Sequence, residues 1–185
     1  ALGRMGEARS EAALIHQLED HPDLVEEETV EALGMIGSAA AVPSLVRYLQ
    51  SPRAQVRRAA AKALGRIGSH EAVEALVQGA SDTTDVELRR AALQALRVIG
   101  AKQASQTFIQ ALSDPQPSVR IAAAEAVSEL EIWVAGDPLR AALASGIDES
   151  SGELAYALGA VGNDGYLALI LGVAAQMESV ITRRR

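Results

Sequence analysis

The chain contains no cysteine, which excludes disulfide bridges, thiol nucleophiles and cysteine-ligated metal sites. Aromatic residues make up only 3% of its 185 residues, with one Trp and one Phe, so a core must be assembled from smaller side chains. Histidine is scarce as well: His16, His21 and His70 fall in different phases of the sequence, and their spacing converges on no metal site. Long hydrophobic runs are missing. The longest, Tyr166 to Ala175, is about half of the ~20 residues that a bilayer-spanning helix needs, and it reads as a buried helix. Direct membrane insertion is therefore not expected. Nor is there an excess of basic residues. Lys and Arg total 17 against 24 Asp and Glu, a formal charge of −7, which gives no general attraction to nucleic acid or to an anionic membrane. With no secretory leader visible at its start, a cytoplasmic location is expected.

What the chain does have is a beat. Leu2-Gly3-Arg4-Met5-Gly6 returns as Leu33-Gly34-Met35-Ile36-Gly37 and as Leu64-Gly65-Arg66-Ile67-Gly68. Variant copies follow at Leu96-Arg97-Val98-Ile99-Gly100, Val127-Ser128-Glu129-Leu130-Glu131 and Leu158-Gly159-Ala160-Val161-Gly162. The last positions, 6, 37, 68, 100, 131 and 162, are separated by steps of 31, 31, 32, 31 and 31. A fixed period of this size marks a stacked array in which each unit buries its apolar face against its neighbours.

Residues 51–81 show the unit most clearly. Ser51-Pro52 supplies a helix opening, and Val56, Ala60, Ala63, Leu64 and Ile67 then recur at helical spacing. Gly68 is placed to stop this helix, because glycine reaches the left-handed conformation of a C-terminal cap. Ser69 can cap a second helix with its own stripe, Ala72, Val73, Leu76, Val77 and Ala80. Each unit is thus expected to be a helical hairpin with helices of about ten to fourteen residues. Alternation of period two persists nowhere, so the fold is expected to be all-α. The frame divides the chain into a partial repeat at 1–20, repeats at 21–50, 51–81, 82–113, 114–145 and 146–179, and the start of another at 180–185.

The string Val56-Arg57-Arg58-Ala59-Ala60-Ala61-Lys62-Ala63-Leu64-Gly65, echoed by Leu88-Arg89-Arg90 and Val119-Arg120-Ile121, resembles the HEAT-like repeat of the phycobilisome-lyase type. Asp114-Pro115 matches the usual helix opening of that family. The resemblance covers nearly the whole chain and implies a right-handed α-solenoid of about five to six repeats. It implies no single activity, since members include bilin lyase subunits, scaffold proteins and regulatory modules. It also implies that the arginine after Val or Leu (Arg57, Arg89 and Arg120) bridges adjacent units, and that the helix carrying it lines the concave side of the array. The positions expected to point into that groove are Asp23, Leu24, Glu27, Glu28 and Glu31, then Gln55, Arg58, Lys62 and Arg66, then Glu87, Arg90 and Gln94. Ile121, Glu125 and Glu129 follow in the next unit, and Asp148, Glu149, Glu153 and Tyr156 in the last. Charge arranged in blocks of this kind orients a partner through complementary potential.

Catalytic signatures are missing: there is no phosphate loop, nucleophile elbow or paired-carboxylate motif. The pair His70-Glu71 resembles those of the di-iron HEAT-repeat hydroxylases, but it occurs once and in a turn. The leading expectation is a non-enzymatic scaffold without cofactor or metal that binds a protein partner on its concave face. The alternative is a subunit of a lyase-like protein that handles a bilin, with Arg58, Lys62 and Arg66 on its propionates and Tyr156 and Trp133 against its rings. A regulatory domain of a larger protein is a third class. Trp133 is expected to fill the irregular turn at Glu131, and the ends of the chain, cut inside a repeat, to favour self-association.

Overall fold

The structure, a computed structural model, describes residues 2–20, 25–146, 148–161 and 166–183; side chains are described for 11–20, 25–146, 148–161 and 166–176. His21, Asp23, Leu24, the beat at Gly162 and the terminal Arg184 and Arg185 lie outside the described residues. Eleven α-helices and no strand occur among the described residues: α1 (Leu2–Asp20), α2 (Glu27–Ile36), α3 (Val42–Tyr48), α4 (Ala54–Ile67), α5 (Val73–Ala80), α6 (Val86–Ile99), α7 (Ser105–Ala111), α8 (Pro117–Glu129), α9 (Gly136–Ala144), α10 (Ser151–Val161) and α11 (Leu167–Arg183). The fold is an all-α repeat solenoid. It divides into two compact units, Ala1–Ala101 and Lys102–Arg185.

In the first unit α2, α4 and α6 are successive first helices, α4 packing on α2 and α6 on α4, while α3 and α5 pack as second helices. Two glycines of the beat explain why the first helices sit so close. A Cβ on Gly34 would lie 2.7 Å from Cα of Ala63, and one on Gly65 would lie 2.8 Å from Cα of Ala95. No larger residue fits without moving a backbone. The final glycine serves another purpose: Gly37, Gly68 and Gly100 all adopt φ of 73–74°, the left-handed cap that ends the helix. The apolar stripe between the helices is made of Leu33, Leu45, Leu64, Leu76, Leu88 and Leu96, all 0–1% exposed, with alanines filling the gaps.

The second unit repeats the hairpin, with α7 on α8, α10 on α8 and α9, and α11 on α10. Its core residues include Phe108, Val119, Val127, Leu139, Leu154 and Leu158.

Several local features depart from the sequence reading. The second helices α3, α5, α7 and α9 are only 7, 8, 7 and 9 residues long, shorter than expected. Each instead enters through a single 3-10 turn such as His70–Ala72. Helix α4 begins at Ala54, and α8 at Pro117; Ser51 and Asp114 belong to the opening turns, where they accept backbone N–H bonds from Arg53 and Gln116. Helix α1 runs straight through Gly6. Glu7 and Ala8 after Gly6 are good helix formers, and an interior glycine costs a helix only about 1 kcal/mol. For the same reason α11 continues past 180: no Gly, Pro, Asn or Asp stands between Val173 and Arg183. Trp133 is 61% exposed and fills no gap; the turn before it is carried by the backbone of Glu131 at φ 54°.

Candidate functional site

Charged side chains on the first helices divide into those consumed in holding repeats together and those left to face outward. Asp85, 4% exposed, is the hub of the first group. Its carboxylate caps α6 by accepting the Leu88 N–H at 3.0 Å. It also accepts from Arg57 Nη2 at 3.0 Å and from Arg58 through Nε at 3.0 Å and Nη2 at 2.9 Å. Burial pushes the Asp85 carboxyl up, but the Arg58 hydrogen bond, the Leu88 amide and the Arg57 contact outweigh it and hold the group below the usual carboxylate value. Arg57 also donates through Nη1 to the Ser51 carbonyl at 2.9 Å, so it ties the opening turn of repeat 51–81 to that of repeat 82–113.

Arg58 therefore differs from the groove cation anticipated for it. It spends its guanidinium on a neighbouring repeat because Asp85 is within reach 27 positions on. Arg89 is buried and donates to the Asp82 carbonyl at 2.9 Å. In the second unit Arg120 donates to the Asp114 carbonyl, to Ser150 Oγ at 2.9 Å and to the Asp148 carboxylate. Ser150 and Ser151, which replace the apolar residue and arginine of other copies, are fully buried and bond Asp148 in a tight polar turn. Helix α10 consequently starts only at Ser151, leaving Asp148 and Glu149 in the turn before it.

The outward positions of the first unit form rows across α2, α4 and α6. Glu27, Arg58 and Arg90 share one level of the repeat frame, Glu31, Lys62 and Gln94 the next, and Met35, Arg66 and Val98 the third. Arg90 pairs with Glu87 at 2.6 Å and lies 3.4 Å from the Gln94 amide oxygen. Glu28, Lys62 and Arg66 are exposed, and Glu27 and Glu31 half-buried. In the second unit Glu125 is half-buried, Glu153 exposed and Tyr156 70% exposed. Tyr156 stands on the rim of an apolar groove of about 570 Å³ between α10 and α11, whose walls include Gly152, Gly159, Ile170 and Val173. Trp133 is not among the groove's lining residues.

Asp85, Met35 and Val98 are absent from the groove set drawn from sequence. Asp85 carried a readable signal, an N-cap aspartate three residues before a buried leucine. Met35 and Val98 carried one too, the repeat position they share with Arg66, but apolar letters are ordinarily assigned to a core. Among the described residues no three His, Cys, Asp or Glu side chains gather so as to hold a metal ion, and no helix is long and apolar enough to cross a membrane.

Paired helices, left-handed glycine stops and arginine ties between repeats define a helical-repeat protein of the HEAT class. The family profile of HEAT repeats matches residues 11–97 and 73–159, and the chain belongs to that family, in its phycobilisome-lyase-like form. Among solved structures it is similar to a chain in the complex of CpcE and CpcF of phycocyanin lyase from Nostoc sp. PCC7120, at 31% identity and TM-score 0.60, over 88% of this chain and 68% of that one. Two engineered proteins share the fold, one at 23% identity and TM-score 0.63 over 82% of this chain and 78% of its own. The other has 21% identity and TM-score 0.61 over 90% and 87%. No curated protein matches the chain.

Proposed function

We propose that this chain is a non-enzymatic scaffold that holds a segment of a protein partner against the outward face of its first helices. The supporting observation is the division of labour among its charges. Arg57, Arg58 and Asp85 fix the spacing of the helices, while Lys62, Arg66, Met35 and Val98 stand exposed on the same surface with nothing to do for the fold. Glu27, Glu28, Glu31, Arg90 and Gln94 complete that surface in the first unit, and Glu125, Glu153 and Tyr156 offer one in the second. A solved relative that is itself part of a two-subunit complex fits this reading. The proposed place of action is the cytoplasm. A photo-crosslinking residue placed at Lys62 should give partner adducts in extracts of the source cells, and one at Glu74 on the second-helix face should give few. Equal yields from the two positions would sink the reading. The exposed Leu167 and Leu171 of α11 also support self-association, and light scattering should then show mass rising with concentration. A mass that stays at the monomer value would remove that part.

One observation favours a second reading, the handling of a bilin. The groove between α10 and α11 falls in the ~300–1,000 Å³ range of small-molecule sites, with apolar walls and the Tyr156 hydroxyl as a polar anchor. Its 31% identical relative belongs to a phycocyanin lyase. Mixing the purified protein with phycocyanobilin should shift the pigment's absorbance, and Tyr156→Ala should weaken the shift. An unchanged spectrum would eliminate this alternative.

A further inference from the structure

We propose that the strip Met35–Arg66–Val98, with Lys62 one turn away on α4, is the docking site of an acidic peptide segment that carries an apolar residue on each side of its carboxylates. The proposal rests on the scaffold reading and names the chemistry of the partner.

The strip occupies one position of the repeat frame, with steps of 31 and 32 residues between its members. Met35 is 71% and Val98 64% exposed, and Arg66 between them is exposed as well. Isolated apolar residues on a surface need no explanation. Here two of them flank Arg66 at matching positions of three adjacent helices, with Lys62 one turn away on the central helix. The tight contacts Gly34–Ala63 and Gly65–Ala95 occur at the residues immediately preceding Met35 and Arg66. Helix axes pulled together there are separated by about 8–10 Å, so Met35 and Val98 stand about 16–20 Å apart with Arg66 midway. An extended peptide rising about 3.3 Å per residue covers that span with five to six residues.

Charge decides the chemistry of the middle of that segment. The other arginines of this face have carboxylate partners, Asp85 for Arg57 and Arg58 and Glu87 for Arg90. Lys62 and Arg66 make no hydrogen bond or ion pair among the described residues. They stand four positions apart on one helix, where like charges repel mildly, and an arriving carboxylate relieves that repulsion. In a chain of net charge −7 this is a local inversion of sign. Glu27, Glu28 and Glu31 on α2 then act against misplacement, since they repel a segment whose carboxylates slide off α4.

The test is fluorescence anisotropy with a labelled hexapeptide, leucine at each end and two glutamates at its centre, against a control with two central lysines. The acidic peptide is expected to bind, with affinity falling as salt is raised, and Lys62→Glu/Arg66→Glu should weaken it at least tenfold. Met35→Ala/Val98→Ala should weaken it several-fold and leave the salt dependence unchanged. All four side chains are exposed, and an unaltered thermal unfolding curve for each variant confirms that folding is intact. The proposal is overturned if the acidic peptide fails to bind at millimolar concentration, if the lysine control binds as well, or if the charge-reversed variant binds it like the parent chain. A partner that cross-links to this face yet holds equally to Lys62→Glu/Arg66→Glu also overturns it, and leaves the scaffold reading standing. Cross-links arising only from the second helices overturn both.

Discussion

Glu131 shows how a single residue bears a role written for glycine. It takes φ 54° where Gly100, one repeat earlier, takes 74°. The hydrogen bonds are the same in kind: the N–H of residue 101 reaches the carbonyl of residue 96 at 3.0 Å, and that of residue 132 reaches residue 127 at 3.0 Å. The cap is therefore imposed by the chain reversal, and the side chain accepts the strain. A non-glycine residue in this region costs about 1–2 kcal/mol, partly offset by the greater freedom of glycine in the unfolded chain. Glu131→Gly should accordingly stabilise the protein by about 0.5–1 kcal/mol in urea unfolding. A loss of stability would mean that the carboxylate makes a favourable interaction. The broken beat was visible in the sequence, but the exposure of the neighbouring Trp133 was not, since a large aromatic is usually worth burying.

Among elements, the contact of α4 with α6 depends on Gly65 having no side chain. Gly65→Ala gains helix propensity of about 1 kcal/mol but drives a Cβ to 2.8 Å from the backbone of Ala95, and overpacking of this kind costs about 1–3 kcal/mol. A lowered Tm is expected, with only partial rescue by Ala95→Gly because the obstructing atoms include Cα. A Tm at or above that of the parent would show that the helices can part freely. Helix existence, the stops at Gly37, Gly68 and Gly100 and the order of hairpins were legible in sequence, because each is set by chemistry within a few residues; the passage of α1 through Gly6 was not. The fate of Arg58 was not, since it is decided by a carboxylate in the next repeat. Ser51-Pro52 misled by two residues because its serine caps an opening turn, and the helix follows it.

For the whole molecule the arginine ties predict a response to acid. The Asp82 carboxyl is held low chiefly by the Thr84 hydroxyl, and those of Asp85 and Asp148 by partners that overcome their burial, Arg58 and Ser150 foremost. A carboxyl whose folded value lies below its unfolded value stabilises the fold at every pH above the unfolded value, and ceases to as pH falls through the folded one. Stability should therefore be level from neutral pH down to about 5 and decline below about 4. Asp85→Asn keeps the cap but removes the charge, which should cost about 1.5–3 kcal/mol at pH 7. Urea midpoints of variant and parent should converge toward pH 2, and a gap that stayed constant with pH would show that the ion pairs contribute nothing.

The unspecified letter of Leu-Gly-x-hydrophobic-Gly has a consequence of its own. In the copies with described side chains from Leu33 onward it is Met35, Arg66, Val98, Glu129 and Ala160, and every one of them is exposed. The letters around it pack, approach or turn; at Met35, Arg66 and Val98 this one faces solvent. Rewriting it should therefore change what the surface recognises while the melting temperature stays put, so that each repeat carries one character of an alphabet that the fold does not read.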